Sequence, residues 1–203
     1  MKKIFLVRHG ESEWNKLKMI QGQSDLPLTD LGRSQAGKIA KRLKSEKIDI
    51  IYSSDLKRAV ETAQIIGKEL NLNVSPDKRL REIDFGPWEG KKNKDILLKY
   101  PKEYTTWLQK SYKFKIDGAE TLMEVQNRTM SFVNETLDKN PDKNILIVSH
   151  NVAIKSMILG ILNIDIVSYN NISLDNVSLT IIEFGDYNKI LKLLNDTCHL
   201  RED

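Results

Sequence analysis

The 203-residue chain has one cysteine, Cys198, and three histidines, His9, His150 and His199. A lone cysteine makes no intrachain disulfide and no cysteine-built metal site, so a cytoplasmic location is expected. Five prolines and ten glycines exclude collagen-like and low-complexity chains, and a 40% apolar fraction excludes disorder. No apolar run approaches the roughly 18–20 residues of a membrane span. The opening Met1-Lys2-Lys3-Ile4-Phe5-Leu6-Val7 imitates a signal peptide, but Arg8-His9 ends its apolar run after four residues. The length suits one domain over 1–203, since a chain of this size buries about 70% of its unfolded surface.

Charge of one sign is also missing. The 32 Lys+Arg face 28 Asp+Glu, a net charge of +4. Lysine supplies 24 of those 32 and is spread along the chain, usually near an acid. That pattern describes solvated helix faces and not a nucleic-acid patch. Arginine, with eight copies, and histidine are scarce, so their positions carry more information.

What is present alternates. Ile4–Val7 and Ile145–Val148 are short, wholly apolar runs, as expected of strands covered on both faces. Ile48–Tyr52 reads as another strand. Helical spacing follows Thr29 (Leu31, Ala36, Ile39, Leu43), follows Ser53-Ser54-Asp55 as N-cap candidates (Ala59, Ala63, Ile66, Leu70), and recurs over Glu120–Leu137 and Val152–Leu162. Val177–Phe184 and Lys189–Leu194 flank Gly185-Asp186-Tyr187-Asn188 as a hairpin. This order predicts an α/β fold: a three-layer α/β/α sandwich with a mainly parallel central sheet and a C-terminal antiparallel hairpin. The Gly86–Gly118 segment, rich in lysine and aromatics with one helix from Asn93 to about Tyr100, reads as an excursion over the active-site end. Its Trp107 and Tyr112 read as exposed aromatics serving a lid or a dimer, and Cys198-His199 as a mobile tail.

Two strand ends carry the chemistry. Ile4–Val7 runs into Arg8-His9-Gly10, and Ile145–Val148 into Ser149-His150-Asn151. Ligands of open parallel sheets bind beyond the carboxyl ends of strands, so the two histidines are expected to share a site. No H-x-x-H spacing or acidic cluster suggests a metal. Ser12 and Ser149 lie near histidines, but no Gly-x-Ser-x-Gly elbow exists. Histidine acting with arginines on an anion is the reading that survives, and phosphate is the anion whose oxygens match arginine's planar fork.

Leu6-Val-Arg-His-Gly-Glu-Ser-Glu-Trp-Asn15 resembles the leading motif of the histidine phosphatase superfamily, which includes the cofactor-dependent phosphoglycerate mutases. Further blocks follow in family order: Gln21-Gly22 through Thr29-Asp-Leu-Gly32, Tyr52-Ser-Ser-Asp-Leu-Lys-Arg58, Leu80-Arg-Glu82 through Gly90, Gly118-Ala-Glu120, Val148-Ser-His150 and Asn176-Val-Ser178. The resemblance implies that His9 is a phosphoryl-accepting nucleophile and Glu82 the acid/base, with Glu89 a competing carboxylate. It also implies that Arg8, Arg58 and a protonated His150 surround the phosphate, Asn15 donates from a loop, and Gln21 and Gly22 line the substrate side. Asn151 and Ala119 depart from the usual glycines. Only 67 residues separate Glu82 from His150, which favours the compact phosphatase branch over the longer mutases. The expected protein is thus a phosphatase of a small phosphomonoester, with broad-specificity and α-ribazole phosphatases as models. It is expected to use no cofactor or metal, to bind no nucleic acid or membrane, and to be a monomer or homodimer. A phosphoglycerate mutase dependent on 2,3-bisphosphoglycerate, and a non-catalytic phospholigand or nucleic-acid binder, are the alternatives.

Overall fold

Ile4 and Leu6 point to one face of a sheet, Phe5 and Val7 to the other, and all four are buried, so both faces must be covered. The computed structural model describes residues 2–201 and shows how. Six strands, β1 (Lys2–Arg8), β2 (Ile50–Ser53), β3 (Val74–Pro76), β4 (Ile145–Ser149), β5 (Leu179–Phe184) and β6 (Lys189–Asp196), form one sheet in the order β3-β2-β4-β1-β5-β6. The first four in that order run parallel, and β5 and β6 add antiparallel pairings at the β1 edge. The helices are α1 (Glu13–Lys16), α2 (Asp30–Leu43), α3 (Lys57–Leu70), α4 (Asn93–Lys99), α5 (Pro101–Lys110), α6 (Leu122–Lys139) and α7 (Asn151–Ile161). Helices α2 and α3 pack with Phe5, Val7, Ile51 and Leu146, while α6 and α7 pack with Ile4, Leu6, Ile145 and Ile147. The expected three-layer sandwich is the observed one. No helix among the described residues is long and apolar enough to cross a membrane.

Register makes the site. Val7 pairs with Val148 and Arg8 with Ser149, so His9 and His150 leave neighbouring parallel strands at one level. The His9 N–H donates to the Ser149 carbonyl at 2.9 Å, which fixes that alignment past the last strand residue.

Several local expectations change. Thr29 does cap α2, its hydroxyl accepting from Gly32 N–H at 3.0 Å. Helix α3, however, starts at Lys57 behind Leu56 with no side-chain cap, because the Asp55 carboxylate is held by Arg81 at 2.7 Å. Strand β3 and helix α5 lie outside the predicted elements; β3 has three residues and ends in Pro76, too short for any period to show. The supposed tail forms a 3₁₀ turn over Cys198–Leu200, and Leu200 packs against the α2–α3 core.

The Gly86–Gly118 excursion encloses a third apolar cluster around Trp88, which is fully buried among Phe85, Tyr100, Tyr104 and Phe114. Trp107 is not exposed as expected: it stands edge-on to Phe85 at 5.0 Å and packs on Phe114 and Tyr169, and Tyr112 is half-buried. Removing the Trp88 indole leaves a large void that this cluster cannot collapse into. Trp88→Ala is therefore expected to lower the unfolding free energy by about 3–5 kcal/mol in urea denaturation. A loss below about 1 kcal/mol would mean that the excursion does not fold as part of the core.

Candidate active site

The site is built around an imidazole with its proton already assigned. His9 Nδ1 lies 2.7 Å from its neighbour's carbonyl, Gly10 O. A carbonyl only accepts, so Nδ1 is the N–H and Nε2 keeps its lone pair. The Arg58 Nε–H donates to that lone pair at 3.3 Å. Burial, and then the charges of Arg58 and Arg8, hold His9 well below the usual imidazole range, which favours the neutral ring. Gly10 owes its place to close approach: a Cβ there would meet Gly32 O at 2.5 Å.

His150 sits with its ring centroid 5.0 Å from that of His9. Both its ring nitrogens are buried without a protein partner among the described residues. Burial, followed by Arg58 and His9, drives its pKa well below 6.5. Burial and the neighbouring charges thus disfavour the protonated form that the resemblance implies for His150 around a phosphate.

Arg58 is only 1% exposed, and burial pulls its pKa down to about 10. Its Nη2 donates to Gly22 O at 2.7 Å and its Nη1 to Ser24 O at 2.8 Å. Those carbonyls are in place because Gly22 adopts φ +52° and because Glu89 accepts from Gln23 N–H, Ser24 N–H and Ser24 Oγ–H at 2.7–3.0 Å. Glu89 therefore shapes this loop and does not line the cavity. Arg8 is clamped by Leu174 O at 2.6 Å and keeps a buried, unpartnered Nε. Its pKa is lowered by burial and sustained by Glu82 and Asp175.

Glu82 reaches the same cavity, with Oε1 accepting from Ile83, Val152 and Ala153 N–H at 3.0–3.2 Å. The last two belong to the first turn of α7, where a carboxylate is favoured. Asn15 lies in the short helix α1 and not in a loop. Its Oδ1 accepts from Ser12 N–H at 3.1 Å, and Gln21 Oε1 accepts from Ser12 Oγ–H at 2.6 Å. Arg8, His9, Asn15, Gln21, Gly22, Arg58 and Glu82 together line a cavity of about 180 Å³. Among the described residues, no group of three or more His, Cys, Asp or Glu side chains is placed to hold a metal.

This constellation, two imidazoles and two buried arginines with one carboxylate at parallel strand ends, agrees with the comparison to known families. The model of the histidine phosphatase superfamily, branch 1, matches residues 4–197. The chain belongs to the histidine phosphatase superfamily. It is 36% identical over 202 residues to phosphoserine phosphatase 1 of Hydrogenobacter thermophilus, covering all of this chain and 96% of that one. YhfR of Bacillus stearothermophilus superposes with a TM-score of 0.93 at 30% identity, covering 99% of this chain and all of that one. A phosphoserine phosphatase from Entamoeba histolytica, solved as a His-to-Ala variant with phosphoserine, superposes at 0.87 with 34% identity, again covering 99% of this chain and all of that one.

Further residues around the site were given no role by the sequence, Asn176 and Val177 among them although they lie in one of its motif blocks. Arg128 donates to the carbonyls of Arg79, Arg81 and Glu82 at 2.7–2.9 Å while paired with Glu120, and so holds the segment bearing Glu82. The scarcity of arginine was the available signal. Asn176 Nδ2–H donates to His9 O at 2.9 Å, and Val177, at φ +50°, donates its N–H to Arg8 O at 3.0 Å. A β-branched residue in that left-handed region is strained, and only tertiary contacts reveal it. Lys155, lowered to about 8 by burial, places Nζ 3.7 Å from the Tyr169 ring centroid. Met19, Ile20, Phe85, Trp107, Asn151 and Val152 complete the cavity wall.

The two neutral histidines carry a stability consequence. Their folded pKa values lie below the unfolded 6.5, so the unfolded chain binds more protons as pH falls. Stability is full above the imidazole range and is lost as pH drops through about 6.5. Melting temperature is expected to fall between about pH 7 and pH 5, above the range where carboxylates titrate, and inorganic phosphate is expected to reduce the fall. A flat profile without ligand would contradict neutral buried rings.

Proposed function

We propose that this protein hydrolyses small phosphomonoesters in two steps through a phosphohistidine on His9. The single observation that carries this reading is the His9 tautomer: Nδ1–H is tied to Gly10 O, so Nε2 holds a lone pair in the cavity beside Arg58 and Glu82. In the first step Nε2 attacks phosphorus, the bond to the leaving oxygen breaks, and Glu82 gives that oxygen its proton. In the second, Glu82 takes a proton from water, the hydroxide attacks phosphorus, and the P–N bond breaks to release phosphate and neutral His9. Arg8, Arg58, His150 and the amide NH₂ groups of Asn15 and Gln21 meet the equatorial oxygens, where charge is spread as the phosphoryl group transfers. Side-chain cations thus fill the role a divalent ion plays elsewhere, and no cofactor is invoked.

The cavity of about 180 Å³ lies below the roughly 300–1,000 Å³ of pockets for drug-sized ligands, which supports a small substrate. Phosphoserine, the ester named for two of the relatives, is the first substrate to test. Glu82→Gln is expected to lower kcat for phosphoserine by about 10²–10⁴. The loss should be smaller for p-nitrophenyl phosphate, whose leaving group hardly needs a proton. Glu89→Gln should cost less kcat than Glu82→Gln on both substrates; the reverse order would contradict the assignment of the acid/base.

A further inference from the structure

Resting on the phosphatase reading, the cavity divides into a phosphate end and a leaving-group end, and the two ends are furnished differently. At the phosphate end the polar groups other than Glu82 present hydrogen-bond donors. Arg58 gives one N–H each to His9, Gly22 and Ser24 and keeps two of its five. Arg8 is clamped by Leu174, and Asn15 and Gln21 are tied to Ser12 through their carbonyl oxygens. The Glu82 carboxylate accepts from the α7 amides. The remaining wall is apolar, made by Met19, Ile20, Phe85, Trp107 and Val152, with one exception. That exception is Asn151.

Asn151 is the first residue of α7, immediately after His150 and one position before the amide that Glu82 accepts from. It lines the cavity half-buried, and among the described residues neither its side-chain amide nor its backbone N–H has a hydrogen-bond partner. Asn15 and Gln21, with their carbonyl oxygens engaged, offer the cavity donors only. Asn151 offers donors and an acceptor together, in the same cavity wall as Glu82 and next to the α7 amides that hold it. A carboxamide of this kind satisfies a head group that both accepts and donates, and it gains nothing from an apolar one. An ionic head group would otherwise be stranded against the apolar wall.

We infer that Asn151 is a specificity-determining residue that reads the leaving alcohol, selecting one that carries an amino-acid head group, a carboxylate with an adjacent ammonium, over an apolar alcohol of similar size. The carboxylate accepts from the Asn151 side-chain NH₂ and backbone N–H, and the ammonium donates to Oδ1. The methylene of such an alcohol lies against Phe85 and Trp107. The chemistry at phosphorus is unaffected by this contact, so Asn151 acts on the choice between esters and not on the phosphoryl step itself.

The test compares two alkyl phosphomonoesters, phosphoserine and benzyl phosphate, so that both leaving groups need a proton from Glu82. Steady-state kcat/KM is measured for both esters with the unaltered protein, Asn151→Ala and Asn151→Gly. The unaltered protein is expected to prefer phosphoserine. In both variants the ratio of kcat/KM for phosphoserine to that for benzyl phosphate should fall about tenfold or more, the worth of a hydrogen bond to a charged group. The loss should fall on the phosphoserine arm. A ratio that stays within about twofold in both variants, or a preference for benzyl phosphate in the unaltered protein, overturns the role of Asn151 while leaving the phosphatase reading intact. Failure of the unaltered protein to release phosphate from either ester overturns the phosphatase reading and this inference with it. Melting temperature and inhibition by orthovanadate, measured on both variants, check that fold and phosphate end survive; two misfolded variants would show that Asn151 is a structural residue and would also overturn the inference.

Discussion

A guanidinium that is 1% exposed must be surrounded by acceptors, and Arg58 organises the site because it meets that demand with backbone rather than with acids. Pairing it with a carboxylate would have neutralised it and closed it to phosphate. Two carbonyls and one imidazole lone pair leave the positive charge standing. The loop that supplies Gly22 O and Ser24 O then needs its own support, which Glu89 provides, and a left-handed glycine, since a Cβ at Gly22 would lie 1.9 Å from Glu89 Oε1. One buried charge thus dictates a loop, the carboxylate beneath it and a backbone angle.

The same charge governs the histidines. Buried with Arg58 and Arg8 close by, both rings are driven toward the neutral form. For His9 that state leaves a lone pair on Nε2. For His150 it leaves two ring nitrogens without partners among the described residues, a cost that burial makes real. Strain at Val177 belongs to the same design, because the turn from Leu174 to Val177 pins Arg8 and the carbonyls around His9 from the opposite side.

Much of this was legible in the sequence. Four-residue apolar runs ending in Arg-His and Ser-His marked the two central strands and the edge where the site lies, because a strand buried on both faces has no alternation to hide it. Helix α2 was readable from Thr29 and its apolar period. Arg8, His9, Arg58 and Glu82 followed from ordered motifs, and all line one cavity. Less legible were features set by long-range contacts. The start of α3 shifted because Asp55 serves Arg81 instead of a helix end. Trp107 looked exposed until Phe85, Phe114 and Tyr169 enclosed it. The C-terminal segment reads as polar and unpatterned, yet Leu200 anchors it. The protonation of His150 could not be read at all, since it depends on how deeply the ring and two distant arginines are buried together.

The account stands on His9 as the nucleophile, and trapping the intermediate tests that most directly. The protein is mixed with a ³²P-labelled phosphomonoester, quenched in alkali and mapped by peptide mass spectrometry. The account predicts an acid-labile, alkali-stable phosphoryl group on the peptide that carries His9, attached at Nε2 and lost completely in His9→Ala. Label on His150, label on a serine, or turnover retained in His9→Ala would contradict it.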